Sequence, residues 1–344
     1  MTGRAFLIGG ATHKNTSMWA ALWACSRGVP LFVVLWIFIF FTLVIYSDRL
    51  KWESAEEKLE QLANTVVEQG QSIDNLQMTL MDRANIFNRN APTIFAITPT
   101  FARPVQKAEL TRLAQTFLHI PNFYWIVVED AINKTELVTN FLHESGLIYK
   151  HLNDVTPRTF KLGKNDPNWK KPRGVAQRNK ALKWLRENYN SSQNAVVYFA
   201  DDDNTYSLKL FKEMERIKVI GVWPVGLVGG LMVERPICDA STMKVTGFNA
   251  VWQPERKFPM DMAGFAINLR VILEKKDAWF SYESKNGYQE TEILEQMVTR
   301  DQLEPLADCC TKVYVWHTRT EPSHLKEENL LIKKGRKSNV DIEV

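Results

Sequence analysis

The chain has 344 residues, about two domains' worth of length, of which 45% are hydrophobic and 24% charged; that is ordinary for a globular protein with a substantial core. Its net charge of +4 is small and dispersed, which excludes a nucleic-acid partner. The four cysteines form no C-x-x-C pattern, so a zinc site of that kind is excluded too.

From Val29 to Tyr46 the residues are apolar apart from Thr42 and carry no charge. Such a run approaches the ~20 residues that cross a bilayer as a helix. Residues 1–47 contain Arg4, Lys14 and Arg27 and no acid, so the positive-inside rule keeps residues 1–28 cytosolic. A secretory signal peptide competes with this reading. The run is longer than a usual signal core, however, and Asp48, Arg49 and Lys51 come after it in place of a small-residue cleavage site. The expectation is an uncleaved type II signal anchor over 29–46.

Lys51 to about Ile86 reads as a helical stem. Leu59, Leu62, Val66, Ile73, Leu76 and Leu80 fall at heptad a and d positions, with Gln69 interrupting one d position. A short dimerising coiled coil is preferred over a solvated amphipathic linker, which makes a homodimer the expected assembly. The stem, 47–90, closes at Asn90-Ala91-Pro92, and 91–344 is the expected catalytic body. Cys25 is a palmitoylated or idle thiol; Cys238, Cys309 and Cys310 belong to the body, an odd number that leaves their pairing open. Asn133 and Asn190 open N-glycosylation sequons, consistent with a lumenal body.

Within the body, apolar runs predict strands over 93–97, 124–128, 147–152, 195–200, 222–228 and 313–316. Amphipathic patterns predict helices over 105–117, 173–188, 207–215 and 290–298. Such alternation implies an α/β fold with a largely parallel sheet covered on both faces. No G-x-G-x-x-G or G-x-x-x-x-G-K-[ST] is present, so dinucleotide and P-loop readings lose their main support.

Asp201-Asp202-Asp203 directly follows the buried-strand pattern of 195–200. Open α/β sheets bind ligands at the carboxyl ends of their strands. Asp favours turns on its own account, but three adjacent carboxylates repel one another unless a cation neutralises them, and a divalent metal is the economical one. Glu129-Asp130 and His317-Thr318-Arg319 also follow predicted strands. If those strands are all parallel, carboxylates, His and Arg gather on one rim, a composition suited to a nucleotide diphosphate.

Two further charges sit on apolar helix faces. Arg178 occupies the stripe of Val175, Leu182 and Leu185, so it needs a buried partner: a phosphate, or a carboxylate of the Asp triplet itself. Glu290 shares the face of Ile293 and Leu294, whereas Glu292 and Glu295 point to solvent. An inward carboxylate there is a helix cap or a catalytic base, and the residues alone favour the cap. The segment 252–265, with Trp252, Arg256 and Asp261 among Pro and Phe residues, suits a sugar platform or a packed loop.

The blocks TPTFARPVQKAEL, PRGVAQRNKALKWLR, VVYFADDDNTYS, VWPVGLVGGL, FPMDMAGFAINL, GYQETEIL and VWHTRTE resemble the inverting β-1,3-glucuronosyltransferases of the Golgi, over residues 97–344. The resemblance implies a type II membrane protein with a GT-A, Rossmann-like glycosyltransferase fold. It implies transfer of glucuronate from UDP-glucuronate to the 3-hydroxyl of a terminal galactose, with Mn²⁺ as cofactor. Its donor-binding half would be 91–203 and its acceptor-binding half 204–344. By the same resemblance Asp203 would bind Mn²⁺, while Phe101, Asp130, Arg173, Arg178, Asp201, Asp202, Asp261, His317 and Arg319 would bind the donor. Glu290 would be the catalytic base, and Glu234, Trp252 and Arg256 would face the acceptor. Phe101 departs from the family's usual Tyr and keeps only the stacking. Phe248–Trp252 looks like the branch that completes the GlcA-Gal-Gal-Xyl linkage of proteoglycans, which is preferred. Gly287–Glu290 looks like the branch acting on N-acetyllactosamine ends.

Overall fold

The computed structural model describes residues 31–83, 91–163, 166–167, 170–321 and 323–340. By contacts the chain divides into two units, 1–79 and 80–344. Leu31–Arg83 is one 53-residue helix, α1, of which residues 31–79 belong to the first unit. It is continuous from the apolar run into sequence bearing Asp48, Arg49, Lys51 and Glu53, where Arg49 and Glu53 pair at 3.3 Å. Among the described residues no helix is long and apolar enough to cross a membrane, so the anchor expected over 29–46 lacks structural support. That run begins at residues 29 and 30, outside the described part, and from residue 31 onward it belongs to a longer, charge-bearing helix. The tail 1–28 with Cys25, the stem's last residues from 84, and the side chains of Ile73, Leu76 and Leu80 also lie outside the described part. Leu59, Leu62 and Val66 are exposed.

In the second unit, β1 (Thr93–Thr100), β2 (Phe123–Glu129), β3 (Tyr149–Asn153) and β4 (Ala195–Phe199) pair in parallel, with β1 between β4 and β2. Alternate residues of these buried strands face opposite ways, and each face has its own core. Phe95, Ile97, Val197 and Phe199 pack with Val175, Leu182 and Leu185 of α2 (Val175–Asn188). Ile94, Ala96, Val196 and Tyr198 pack with Leu110, Leu113 and Phe117 of α3 (Gln106–Phe117). This is the helix-covered, largely parallel sheet that the sequence pattern predicts.

The far side of that sheet is less regular than predicted. Ile220–Val222 and Phe265–Asn268 extend it, the latter antiparallel to both neighbours, and Leu303–Pro305 closes the seven-stranded order. The strand expected over 222–228 is two strands. Trp223-Pro224 separates Ile220–Val222 from Val225–Val228, because proline has no N–H for a ladder and the chain turns there into another sheet.

That second sheet has five strands and includes a hairpin, Leu231–Asp239 with Lys244–Asn249, that the sequence pattern did not reveal. Val315–Trp316 also lies in it, antiparallel to Thr205–Tyr206 and parallel to Val225–Val228. The sequence-based idea of three parallel strands sharing one rim is therefore corrected: His317 arrives from a different sheet. The disulfide Cys238–Cys309 ties this hairpin to the turn Ala307–Cys310, and Cys310 is a buried free thiol.

Candidate active site

The Asp triplet follows β4 at its carboxyl end, and the structure divides it residue by residue. Asp201 accepts from Arg178 Nη2 at 2.7 Å. Arg178 is 6% exposed, held by its place on the apolar face of α2, and its Nη1 donates to the Arg173 carbonyl at 2.9 Å. Gly174, at φ +71°, starts this helix because a Cβ there would stand 2.6 Å from Arg178 Nη1. Asp202 pairs with Arg103 at 2.7 Å; burial nevertheless pushes its carboxyl up to about 6, with Arg103 opposing the rise. The Asp203 carboxylate takes no hydrogen bond among the described residues, although its carbonyl accepts from Arg112 and from Thr318. Burial raises its pKa, and the charges of Asp201 and Glu109 add to the rise.

The expectation that a metal must neutralise three carboxylates is thereby revised. Two of them already have guanidinium partners, and one is left over. Among the described residues no group of three or more His, Cys, Asp and Glu is arranged to hold a metal ion by itself.

Other expected donor residues fall around this rim. Asp130, just after β2, accepts from the Thr156 amide at 2.8 Å and lies 3.8 Å from Lys161 Nζ. Phe101 is 49% exposed with the Arg103 guanidinium 4.7 Å from its ring centroid, a flat face open to a stacking ligand. His317 Nδ1 bonds Asp261 at 2.9 Å, and that bond raises its pKa to about 8. Burial opposes ionisation of Asp261, but the His317 bond and charge outweigh it and hold the carboxyl below its usual value. His317, Thr318 and the exposed Arg319 line a 510 Å³ cavity with Leu227, Val228, Gly229 and Gly230. Arg173 is exposed, and the structure shows its side chain in no ion pair among the described residues.

A second cluster surrounds Arg256, which is 5% exposed. Its guanidinium donates to the carbonyls of Trp252, Gln253 and Gly287. It stands 4.0 Å from Glu234 and 3.9 Å from Glu290, too far for a direct hydrogen bond to either. Glu290 sits in the first turn of the helix Gln289–Glu295, whose Ile293 and Leu294 are buried. Burial, then the charge of Asp261, lifts Glu290 to about 7, with Arg256 and Arg178 opposing. The same two causes lift Glu234 to about 7. Trp252 is 46% exposed and lies against Gly287, where φ is +77° and a Cβ would collide with Trp252 Nε1.

The sequons lie on the surface: Asn133 and Asn190 are exposed, and the Asn190 side chain accepts from the Ser192 amide at 3.0 Å. Sequence reasoning missed Arg103, Glu109 and Arg112, and it named Thr318 only as part of the rim segment. Glu109 had a readable signal, the one that exposed Arg178. It shares the buried face of α3 with Leu110, Leu113 and Phe117.

Carboxylates and guanidinium groups at the carboxyl end of a parallel strand, together with buried carboxyls whose pKa is raised, suit group transfer from a charged donor. The sequence profile of glycosyltransferase family 43 matches residues 113–321, and the chain belongs to that family. It is 55% identical over 257 residues to galactosylgalactosylxylosylprotein 3-beta-glucuronosyltransferase I of Drosophila melanogaster, covering 74% of this chain and 84% of that one. The Homo sapiens galactosylgalactosylxylosylprotein 3-beta-glucuronosyltransferase 1 is 51% identical, covering 73% and 74%. The Caenorhabditis elegans protein of that name, sqv-8, is 44% identical, covering 83% and 79%.

Proposed function

We propose that this chain is a GT-A-type β-1,3-glucuronosyltransferase, which moves glucuronate from UDP-glucuronate to the 3-hydroxyl of a terminal galactose with inversion. Its acceptor is the Gal-Gal-Xyl linkage of proteoglycans, the substrate in the names of its relatives. The observation that carries the reading is Glu290. It is an inward carboxyl in the first turn of its helix, lifted to about 7 like Glu234 beside the same Arg256, under the charge of the same Asp261 that holds His317. A base is most effective with a pKa near the working pH.

In this reading Phe101 stacks on the uracil, and Asp130, Arg173 and Asp201 hold the uridine side with Asp202. Arg178, His317 and Arg319 attract the diphosphate and the sugar carboxylate, and Asp261 keeps His317 protonated and oriented. Trp252, Glu234 and Arg256 receive the galactose. Glu290 takes the proton from its 3-hydroxyl as the oxygen attacks the anomeric carbon from the face opposite the leaving UDP. The Asp203 carboxylate, half-buried, without a hydrogen bond among the described residues and burdened by Asp201 and Glu109, fits one side of a Mn²⁺ ion. Such an ion supplies charge stabilisation to the departing diphosphate.

The Cys238–Cys309 disulfide suits an oxidising compartment, in line with a lumenal Golgi protein. Homodimerisation, through the stem or the catalytic body, belongs to the same proposal, and cross-linking of the full chain tests it.

The deciding experiment measures UDP release with UDP-glucuronate and either Gal-Gal-Xyl or Gal-GlcNAc, with Mn²⁺ and then with chelator. Turnover on Gal-Gal-Xyl that chelation abolishes is expected. Preference for Gal-GlcNAc would move the acceptor to N-acetyllactosamine ends, and UDP binding without turnover on either would leave a non-catalytic UDP-sugar binder.

A further inference from the structure

Glu109 is 3% exposed, and no role in the proposed reaction falls to it. A carboxylate so buried persists only where its oxygens are satisfied. Its two oxygens are taken by two separate loops. Oε2 accepts from Arg103 Nη2 and Oε1 from the Thr320 hydroxyl, with Arg112 3.9 Å away.

Each loop carries donor-side groups. Arg103 is the residue that neutralises Asp202 at 2.7 Å and lies over the Phe101 ring. Thr320 ends the segment His317–Thr320. Thr318 in that segment donates to the Asp203 carbonyl at 2.6 Å and meets Thr205 Oγ1 at 3.1 Å. Arg112, one turn along the helix from Glu109, donates to that Asp203 carbonyl at 3.1 Å. One carboxylate thus connects the stacking loop, the Asp triplet and the His–Arg segment, which come from β1, β4 and the second sheet.

We propose that Glu109 is a positioning residue for the donor pocket, locking Arg103 and the 317–320 segment around the Asp triplet. Arg103 has one Nη2 shared between Asp202 and Glu109. Without Glu109 the guanidinium is free to swing toward Asp203, the carboxylate left over for a cation. Without the Thr320 bond, His317 and Arg319 lose the anchor at the end of their segment. The effect falls on donor binding and spares the acceptor side, since Glu234, Arg256 and Glu290 make no contact with Glu109.

The inference rests on the UDP-sugar reading, so the test begins with the wild-type full chain. UDP binding in Mn²⁺ is followed by calorimetry, alongside donor and acceptor KM, kcat and thermal melting. Wild-type protein that binds no UDP overturns the functional reading itself, and this inference with it. If it binds, Glu109→Gln is expected to weaken UDP binding and raise the donor KM by about tenfold or more, with kcat and acceptor KM changed less than about twofold. A lower melting temperature with unchanged UDP binding and donor KM would overturn the inference and leave Glu109 a fold residue. Thr320→Val removes one hydroxyl from an exposed residue and guards against a Glu109 variant that does not fold. A rise of about threefold in donor KM alone supports the tie, and an unchanged donor KM overturns it.

Discussion

The donor rim and the acceptor cluster both gather buried carboxylates, yet they treat them in opposite ways. On the rim, Asp201, Asp202 and Asp261 have cationic partners at 2.7, 2.7 and 2.9 Å. Around Arg256, Glu234 and Glu290 have one shared guanidinium at 4.0 and 3.9 Å, and Arg256 gives its hydrogen bonds to backbone carbonyls instead. A direct cationic partner opposes the rise that burial imposes, holding Asp261 below its usual value and limiting Asp202 to about 6. Glu234 and Glu290, with only a distant guanidinium, reach about 7. The difference separates groups suited to gripping a charged donor from a group suited to moving a proton.

Glu290→Gln attacks this contrast most directly. It should lower kcat by roughly 10²–10⁴-fold while UDP binding persists; retained turnover would remove Glu290 from the role of base. Next in size is the pH dependence. Below about 7 Glu290 keeps its proton, so kcat/KM should fall about tenfold per pH unit on the acid side. Above about 8 His317 loses its own, and the rate should fall again. His317→Gln should flatten only that alkaline limb, and a profile without either limb would break the comparison.

Stability should follow the same protons. Glu234, Glu290 and His317 all bind protons more tightly folded than unfolded. Stability should therefore drop as pH rises, from about 4.5 to 7 for the acids and from about 6.5 to 8 for the histidine. Urea melts across that range, with and without His317→Gln, measure the second window. The smallest expected effect is at Gly287→Ala, where the added methyl meets Trp252 and φ is +77°. The acceptor KM should rise by about tenfold with the donor KM unchanged; a change in donor KM would break the division of labour between the two regions.

Much of the central fold is legible in the sequence because buried parallel strands are short unbroken apolar runs. Thr93–Thr100, Phe123–Glu129 and Ala195–Phe199 all lie where such runs stand. The hairpin Leu231–Asp239 with Lys244–Asn249 was hidden. It belongs to a partly exposed sheet, so Glu, Arg, Lys and Thr interrupt its apolar residues. Arg178 and Glu290 were legible by a single criterion, a charge on an apolar helix stripe. The criterion applied equally to Glu109, but its meaning depends on Thr320, 211 residues away.

The sequence by itself determined the apolar strands, the acids at their ends and the membership of a transferase family, because periodicity and ordered motifs are local properties. Only the tertiary structure decided how the Asp triplet divides, two carboxylates going to arginines and the third taking no hydrogen bond among the described residues. It also decided that His317 comes from a second sheet, and that Cys238 pairs with Cys309 and leaves Cys310 free. Each of those depends on which distant side chain arrives within hydrogen-bonding or bonding distance. Chain spacing leaves such distances open, and the packing of sheets and helices sets them.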